Sequence, residues 1–268
     1  MTAQVTDVGR ALTRQGAARA AAAYAAGRWM RRRKPALSTR ISPDDAMYDG
    51  LSALSYFAVG ADALSLIRQS LLLVGVTEPQ SVLDLPCGHG RVLRWVRAEW
   101  PAARLVACDL DRGGVDWCAR SYGAEGVYSS ELLEEVRLPG PFDAVWVGSL
   151  LTHLDRDRWA PTLTALAGSL RPGGCLIFTT HGQEHHQRLI RGAYRVDPAE
   201  RAALLGGWAG DGFGYAPYPG QPSYGVSLST PAWVRSTADA VPGLSHMATW
   251  IAGWNHHQDV YTYRRSGA

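Results

Sequence analysis

A chain of 268 residues, 46% of them hydrophobic, can bury a sizeable core, and its length suits one α/β domain with additions better than two domains. Its 27 basic residues, of which only Lys34 is a lysine, exceed 24 acidic ones by +3, and the charge is spread rather than blocked, which speaks against a nucleic-acid binder. No uninterrupted apolar run of about 18 residues occurs, and residues 1–13 lack the basic start and apolar stretch of a secretory signal, so the expectation is a cytoplasmic protein with no transmembrane segment.

Residues 1–34 are Ala-rich and carry Arg10, Arg14, Arg19, Arg28 and the cluster Arg31 to Lys34, ended by Pro35. They read as a basic helical arm (1–42 with its linker), either a solvated appendage or a contact for an anionic lipid surface, a phosphate-bearing substrate or a second copy in a homodimer. A domain over 43–268 follows. Ser42-Pro43 is a cap and first-turn pair that predicts a helix over 43–75, with Met47, Leu51, Leu54 and Phe57 on one face and Ala63, Ile67, Leu71 and Val74 further along. Val82, Leu83 and Leu85 form a short apolar run, broken at Pro86 and Gly88; after Gly90 the apolar positions Val92, Leu93, Val96 and Trp100 take helical spacing. A strand, a Gly-bearing turn and a helix allow close backbone approach to a ligand, with the helix's first N–H groups open to polar groups.

Strand and helix then alternate as a parallel sheet with right-handed crossovers requires. Strands are predicted at 104–109, 126–128, 142–148 and 175–180, and a helix carries Trp159, Leu163, Leu166 and Leu170 up to Arg171-Pro-Gly-Gly174. Residues 184–206 read as helical. Residues 206–225 hold Trp208, Phe213, Tyr215, Tyr218 and Tyr224 among glycines and prolines, and read as a long aromatic loop, part of a lid or substrate insertion over 183–230. A helix opens at Thr230-Pro231, and strands at 247–251 and 259–263 flank Trp254 and His257. Cys87, Cys108, Cys118 and Cys175 show no C-x-x-C spacing and read as buried free thiols.

The stretch Asp84-Leu-Pro-Cys-Gly-His-Gly90, the acid Asp109 at the end of the second strand, and Leu-Arg-Pro-Gly-Gly174 before the fifth together resemble the class I S-adenosylmethionine-dependent methyltransferases over roughly residues 80–182. Pro86 stands where that family usually has its first glycine. The resemblance implies a Rossmann-like, mostly parallel seven-stranded sheet with an antiparallel last strand, helices on both faces and an N-terminal helical extension. It implies S-adenosylmethionine as cofactor, with Asp84, Pro86, Cys87, Gly88 and Gly90 at the motif, Asp109 on the ribose hydroxyls, Leu110 on the adenine face, Ser129 and Ser130 where an acid often takes the adenine amino group, and Gly148 and Ser149 after the fourth strand. Helices before the motif would close over the methionine end, offering Tyr56 and Phe57 to the sulfonium.

In that fold His153, after strand four, His181, at the end of strand five, and His257, entering the last strand, meet beside the cofactor. Methyl transfer needs in-line positioning and, for a hydroxyl acceptor, removal of a proton. His181 is the expected general base, His153 or His257 orienting it, with Asp259 a carboxylate that fixes a tautomer. A divalent metal on His153, His181, His257 and Asp259 is a second reading, but no close His-x-His or Asp-Asp pair marks one, and no metal is assigned. Pro86-Cys87 lies in the wrong place for a DNA cytosine methyltransferase, and no Asn-Pro-Pro-Tyr signature of amino-group methylation occurs. The expected reaction is O-methylation of a small-molecule or saccharide hydroxyl, with Trp208, Phe213, Tyr215 and Trp254, besides Tyr56 and Phe57, as acceptor-side residues. The alternatives are N-methylation, a catalytically silent cofactor-binding module working through its arm, and a nicotinamide oxidoreductase, against which the missing third glycine at Leu93 argues.

Overall fold

The computed structural model describes residues 36–48, 53–194 and 196–267. The basic arm over 1–34 lies outside the described residues. The body from Ser38 onward is one compact unit.

Its elements, in order, are α1 (Ala53–Leu73), β1 (Ser81–Asp84), α2 (Leu93–Glu99), β2 (Arg104–Asp109), α3 (Arg112–Tyr122), β3 (Glu125–Tyr128), β4 (Phe142–Val147), α4 (Arg156–Gly168), β5 (Leu170–Thr180), α5 (Gln183–Ile190), α6 (Pro198–Gly210), β6 (Phe213–Tyr218), β7 (Gln221–Ser229), α7 (Pro231–Asp239), β8 (Leu244–Trp254) and β9 (Gln258–Arg265). Seven strands form one sheet in the order β3-β2-β1-β4-β5-β9-β8; β6 and β7 make a separate hairpin. β1 to β5 are parallel, and β9 enters antiparallel between β5 and β8. The Rossmann-like fold with an antiparallel last strand is therefore as the sequence implied.

Strand alternation explains the layers. Val82 points into a cluster with Ile67 of α1, Leu93 and Val96 of α2 and Val115 of α3. Its neighbour Leu83 points the other way, to Val145, Phe178 and the α4 residues Trp159, Leu163 and Leu166. Successive side chains of a strand face opposite sides, so a central parallel sheet needs apolar residues at nearly every position; all six residues of β4 are buried. Each fully buried Leu or Val contributes about 1.5–3 kcal/mol relative to exposure.

Two sequence expectations change here. Ser42-Pro43 opens turns rather than a helix: the Met47 N–H bonds Asp45 Oδ1 at 3.0 Å, an Asx-type turn that competes with helix formation. Met47 stays exposed, as does Leu54 in the first turn of α1, while the Ala63, Ile67 and Leu71 stripe is buried as expected. The second change is larger. Residues 206–225 are not a long loop but the end of α6 and most of the β6–β7 hairpin. The glycines that suggested a loop are there for close packing: a Cβ on Gly207 would run into Phe213 O, one on Gly214 into Leu204 O, and one on Gly225 into Ala216 O. Gly212, at φ +89°, and Gly220, at φ +76°, turn the chain.

Among the described residues no helix is long and apolar enough to cross a membrane. The four cysteines are free and buried, as expected.

Candidate functional site

The carboxyl ends of β1, β2, β3 and β4 open onto two adjoining cavities, of about 590 Å³ and 190 Å³, that share Ser149. The larger lies beside Pro86, Asp109, Leu110, Ser129 and Ser130, with Tyr224 of the hairpin on its far wall. With Ser149, six residues expected at a cofactor thus line one space.

The turn after β1 is held from the neighbouring strand. Asp109 accepts from the Gly88 N–H at 2.7 Å and from the Asp111 N–H at 2.9 Å. Gly88 sits at φ +46° with open space where a Cβ would be, a backbone that a ligand can approach. Gly90, at φ +80°, instead packs against Tyr122 and Cys118. Cys87 buries its side chain, and its N–H bonds Cys108 O. Gly148 packs on Trp146 and Trp254. Those three shape the cleft without lining it. Asp84 is the informative residue. It is fully buried, and neither carboxylate oxygen has a hydrogen-bond partner. Burial, and then the nearby Asp109 charge, hold its carboxyl well above the usual range, partly offset by Arg91. A buried polar group without a partner is costly; the raised pKa lowers that cost by favouring the neutral acid, and a bound polar group would lower it further.

Arg91 was not anticipated, although it directly follows the motif's last glycine. Its guanidinium lies 6.0 Å from the ring centres of both Tyr56 and Trp254 and lines the smaller cavity with Ser149, Asn255 and His257. Burial pulls its pKa down from the guanidinium's ordinary value. It is a buried cation at the end of the cleft opposite Asp109.

Ser149 adopts φ +61°, unusual for a residue with a side chain. Its N–H bonds Thr179 Oγ1 at 2.8 Å, and its hydroxyl accepts from Gln258 Nε2 at 2.8 Å. Gln258, another residue sequence reasoning missed, thus ties the loop after β4 to β5 and β9. Strained non-glycine backbone held by such a network marks sites where geometry matters more than local stability.

The three expected histidines do converge. Thr180 pairs with Asp259 across β5 and β9, so the end of one strand faces the start of the other. His181 and His257 ring centres are 5.4 Å apart, and those of His153 and His181 6.4 Å. A fourth ring, His185 of α5, stacks on His181 at 3.9 Å and puts Nδ1 3.0 Å from His257 Nε2. Tyr194 Oη lies 2.7 Å from that same Nε2. His185 stands four residues after His181, a signal the sequence carried. Burial holds His181 well below the ordinary imidazole value, and its three imidazole neighbours push it further; burial likewise brings His185 to about 3 and lowers His257 and His153. All four rings are neutral near pH 7. His181 Nδ1 faces Ser227 O at 3.2 Å and His153 Nδ1 faces Gly225 O at 2.7 Å, so each donates from Nδ1 and keeps its lone pair on Nε2.

Other expectations are corrected. Asp259 does not hold an imidazole: its Oδ1 accepts from the Ala252 N–H at 2.7 Å, beside Gly182. Tyr56 and Phe57 lie under the Arg94 guanidinium, at 5.1 and 5.3 Å, and Tyr56 donates to Asp45 at 2.6 Å; their faces are taken up by an internal network. Trp208 stacks on His186, and Phe213 is core, packed on Trp159 and Trp233, because helical and strand periodicity turn them away from the cleft. Tyr215 packs against that same core. Of the acceptor-side aromatics, Trp254 does reach a cavity wall.

Residues 82–174 match the family model described as "Methyltransferase domain". A fatty-acid O-methyltransferase of Mycolicibacterium smegmatis is 30% identical over 104 residues, 38% of this chain and 37% of that one. A malonyl-[acyl-carrier protein] O-methyltransferase of Acetivibrio thermocellus is 28% identical over 102 residues, 38% and 35% of the two chains. The chain thus spans little more than a third of these relatives' lengths. Among solved structures, a 1,6-didemethyltoxoflavin-N1-methyltransferase of Burkholderia thailandensis, with bound S-adenosylhomocysteine, superposes with a TM-score of 0.55 at 17% identity over 82% of this chain and 83% of its own. Magnesium protoporphyrin IX methyltransferase from Synechocystis gives 0.54 at 15% over 80% and 88%. At those identities the likeness speaks for the fold.

Proposed function

We propose that this chain, a class I S-adenosylmethionine-dependent methyltransferase by domain and fold, methylates an oxygen atom of a small-molecule acceptor bound under the β6–β7 hairpin. When bound, S-adenosylmethionine supplies an electrophilic methyl group on a sulfonium. The observation that carries the reading is the polarity of the cleft: acidic and hydroxyl groups at one end, a buried arginine and neutral imidazoles at the other. Asp109 would accept the ribose hydroxyls, Ser129 and Ser130 would meet the adenine edge, the unpartnered Asp84 would take the amino group, and Arg91 the carboxylate of the methionine portion. Asp84 and Arg91, close enough to feel each other's charge, fit the ammonium and carboxylate of one amino acid, and Asp109 beyond them the nucleoside joined to it, better than a dinucleotide.

On the acceptor side, His181 is the group we assign as base. Its neutral ring, with Nδ1 facing a carbonyl, leaves Nε2 free to receive a proton from a small-molecule or saccharide hydroxyl. His153 and His257 flank it, and residues 183–230 form the acceptor-side insertion. Oxygen is favoured because both relatives carry O-methyltransferase in their names. The fatty-acid relative favours a second reading, a carboxylate acceptor, which is already ionised near pH 7 and needs no base.

Calorimetry with S-adenosylhomocysteine tests the cofactor half: micromolar binding is expected, and no binding by a folded protein would end the reading. Transfer of labelled methyl from S-adenosylmethionine to a panel of hydroxyl and carboxylate acceptors tests the rest. Loss of hydroxyl turnover in His181→Ala, with carboxylate turnover kept, separates the two acceptors.

A further inference from the structure

His181, His185 and His257 each offer a ring nitrogen, and the three nitrogens lie within 4.8 Å of one another. They come from three elements: the end of β5, the first turns of α5 and the turn before β9. His181 and His185 are buried and His257 is half-buried. The closest pair of nitrogens, at 3.0 Å, is near the spacing of about 3.3 Å that two ligands take around a tetrahedral ion with bonds of about 2.0–2.1 Å, and the third, within 4.8 Å, closes on them with a shift of at most about 1.5 Å. Tyr194 Oη, 2.7 Å from His257 Nε2, stands where a fourth oxygen ligand or a hydrogen bond to one belongs. The Ser227 carbonyl facing His181 Nδ1 orients that ring as outer partners of metal-bound histidines do.

We propose that His181, His185 and His257 form a binding site for a divalent transition-metal ion, of zinc type by its three imidazole donors, at the acceptor side of the cleft. Its position there rests on the proposed function; the ligand set does not. Three nitrogen ligands and one open position are the arrangement of a catalytic rather than a structural zinc site. A nitrogen lone pair holds either a proton or the ion. An occupied site therefore removes His181 as a base and puts in its place a Lewis acid able to bind and acidify an acceptor oxygen. The neighbouring Arg188 does not present an uncompensated charge, since it pairs with Glu184 at 2.8 Å. Asp259, the carboxylate expected to join such a site, is engaged with Ala252 instead.

The test uses the full chain, free of any polyhistidine tag, with zinc and cobalt(II) as probes. One equivalent of zinc should remain after dialysis, and cobalt(II) should give the visible absorption of a four- or five-coordinate nitrogen site. His185→Ala should weaken zinc binding by at least about tenfold and His185→Ala/His257→Ala should abolish it, while His246→Ala, outside the cluster, changes nothing. His185→Gln is the conservative partner, and binding of S-adenosylhomocysteine by each His185 variant shows that it is folded. A wild-type chain that retains no zinc, or a His185→Ala/His257→Ala variant that retains as much, overturns the site. Because cofactor binding is read separately, zinc retention without cofactor binding would remove the methyltransferase reading and leave the metal site standing, and the reverse would do the opposite.

Discussion

The two ends of the cleft solve opposite problems with the same sheet edge. At the Asp109 end, the acid sits beside open space and satisfies the turn's own N–H groups, so the backbone of the motif and its ligand-facing carboxylate form one unit. At the imidazole end, His185 stacks on His181 and His257 while His153 meets His181 edge-on, burial keeps the rings neutral, and carbonyls of β7 orient His153 and His181. On the proposed function, one end serves hydrogen bonding to a fixed ligand, and the other moves a proton or holds an ion. The difference teaches that affinity and turnover should be separable by mutation.

His181→Ala is the sharpest way to break that separation. Without added metal it should lower turnover of a hydroxyl acceptor by about 10²–10⁴-fold while S-adenosylhomocysteine affinity stays within about threefold, read by steady-state kinetics and calorimetry. Asp109→Ala should do the reverse. Loss of charge-assisted bonds at about 1.5–3 kcal/mol each predicts an affinity at least about a hundredfold weaker, and unchanged affinity would remove the ribose assignment. Gly182→Ala tests the junction between β5 and β9: the new Cβ runs into the Asp259 carboxylate, and thermal unfolding should show a loss of about 1–3 kcal/mol.

Asp259 itself gives a pH signature. Burial pushes it up to about 6, whereas the unfolded chain ionises it at the ordinary carboxylate value. The native state holds its proton longer, so this group's contribution to stability is greatest in acid, falls as pH rises from about 4 through about 6, and is flat above. Asp259→Asn should remove that slope and be more stable than the wild type at pH 7.5 by about 1–2 kcal/mol, measured by urea unfolding across pH; an unchanged slope would mean the carboxyl is solvated. The smallest effect belongs to Tyr56→Phe. It leaves Asp45 and Arg94 each short of one hydrogen bond and should cost about 1–2 kcal/mol of stability with cofactor affinity nearly intact. A large affinity loss instead would return Tyr56 to the sulfonium.

Much of the fold was legible because a buried parallel strand must be apolar on both faces: the runs at Val82, Leu105 and Val145 have one way to be satisfied, and the alternating acids and glycines at their ends mark the ligand edge. The meeting of His153, His181 and His257 followed from topology, since an antiparallel strand brings its beginning to its neighbour's end. What misled was glycine, which looks the same to a reader of sequence whether it frees a loop or lets α6 lie on β6, and the aromatic residues at 208 and 213, whose direction depends on a helix that runs past 206 and a hairpin not recognised. Local pattern, set by burial on two faces, thus determined by itself the parallel strands and the acid at their edge, while the antiparallel last strand came from the family resemblance. Only tertiary packing decided that His185 joins the other rings, that Asp259 stays apart from them, and that Arg91 enters the cleft, because contacts between distant segments depend on side-chain direction in three dimensions, which no spacing along the chain encodes.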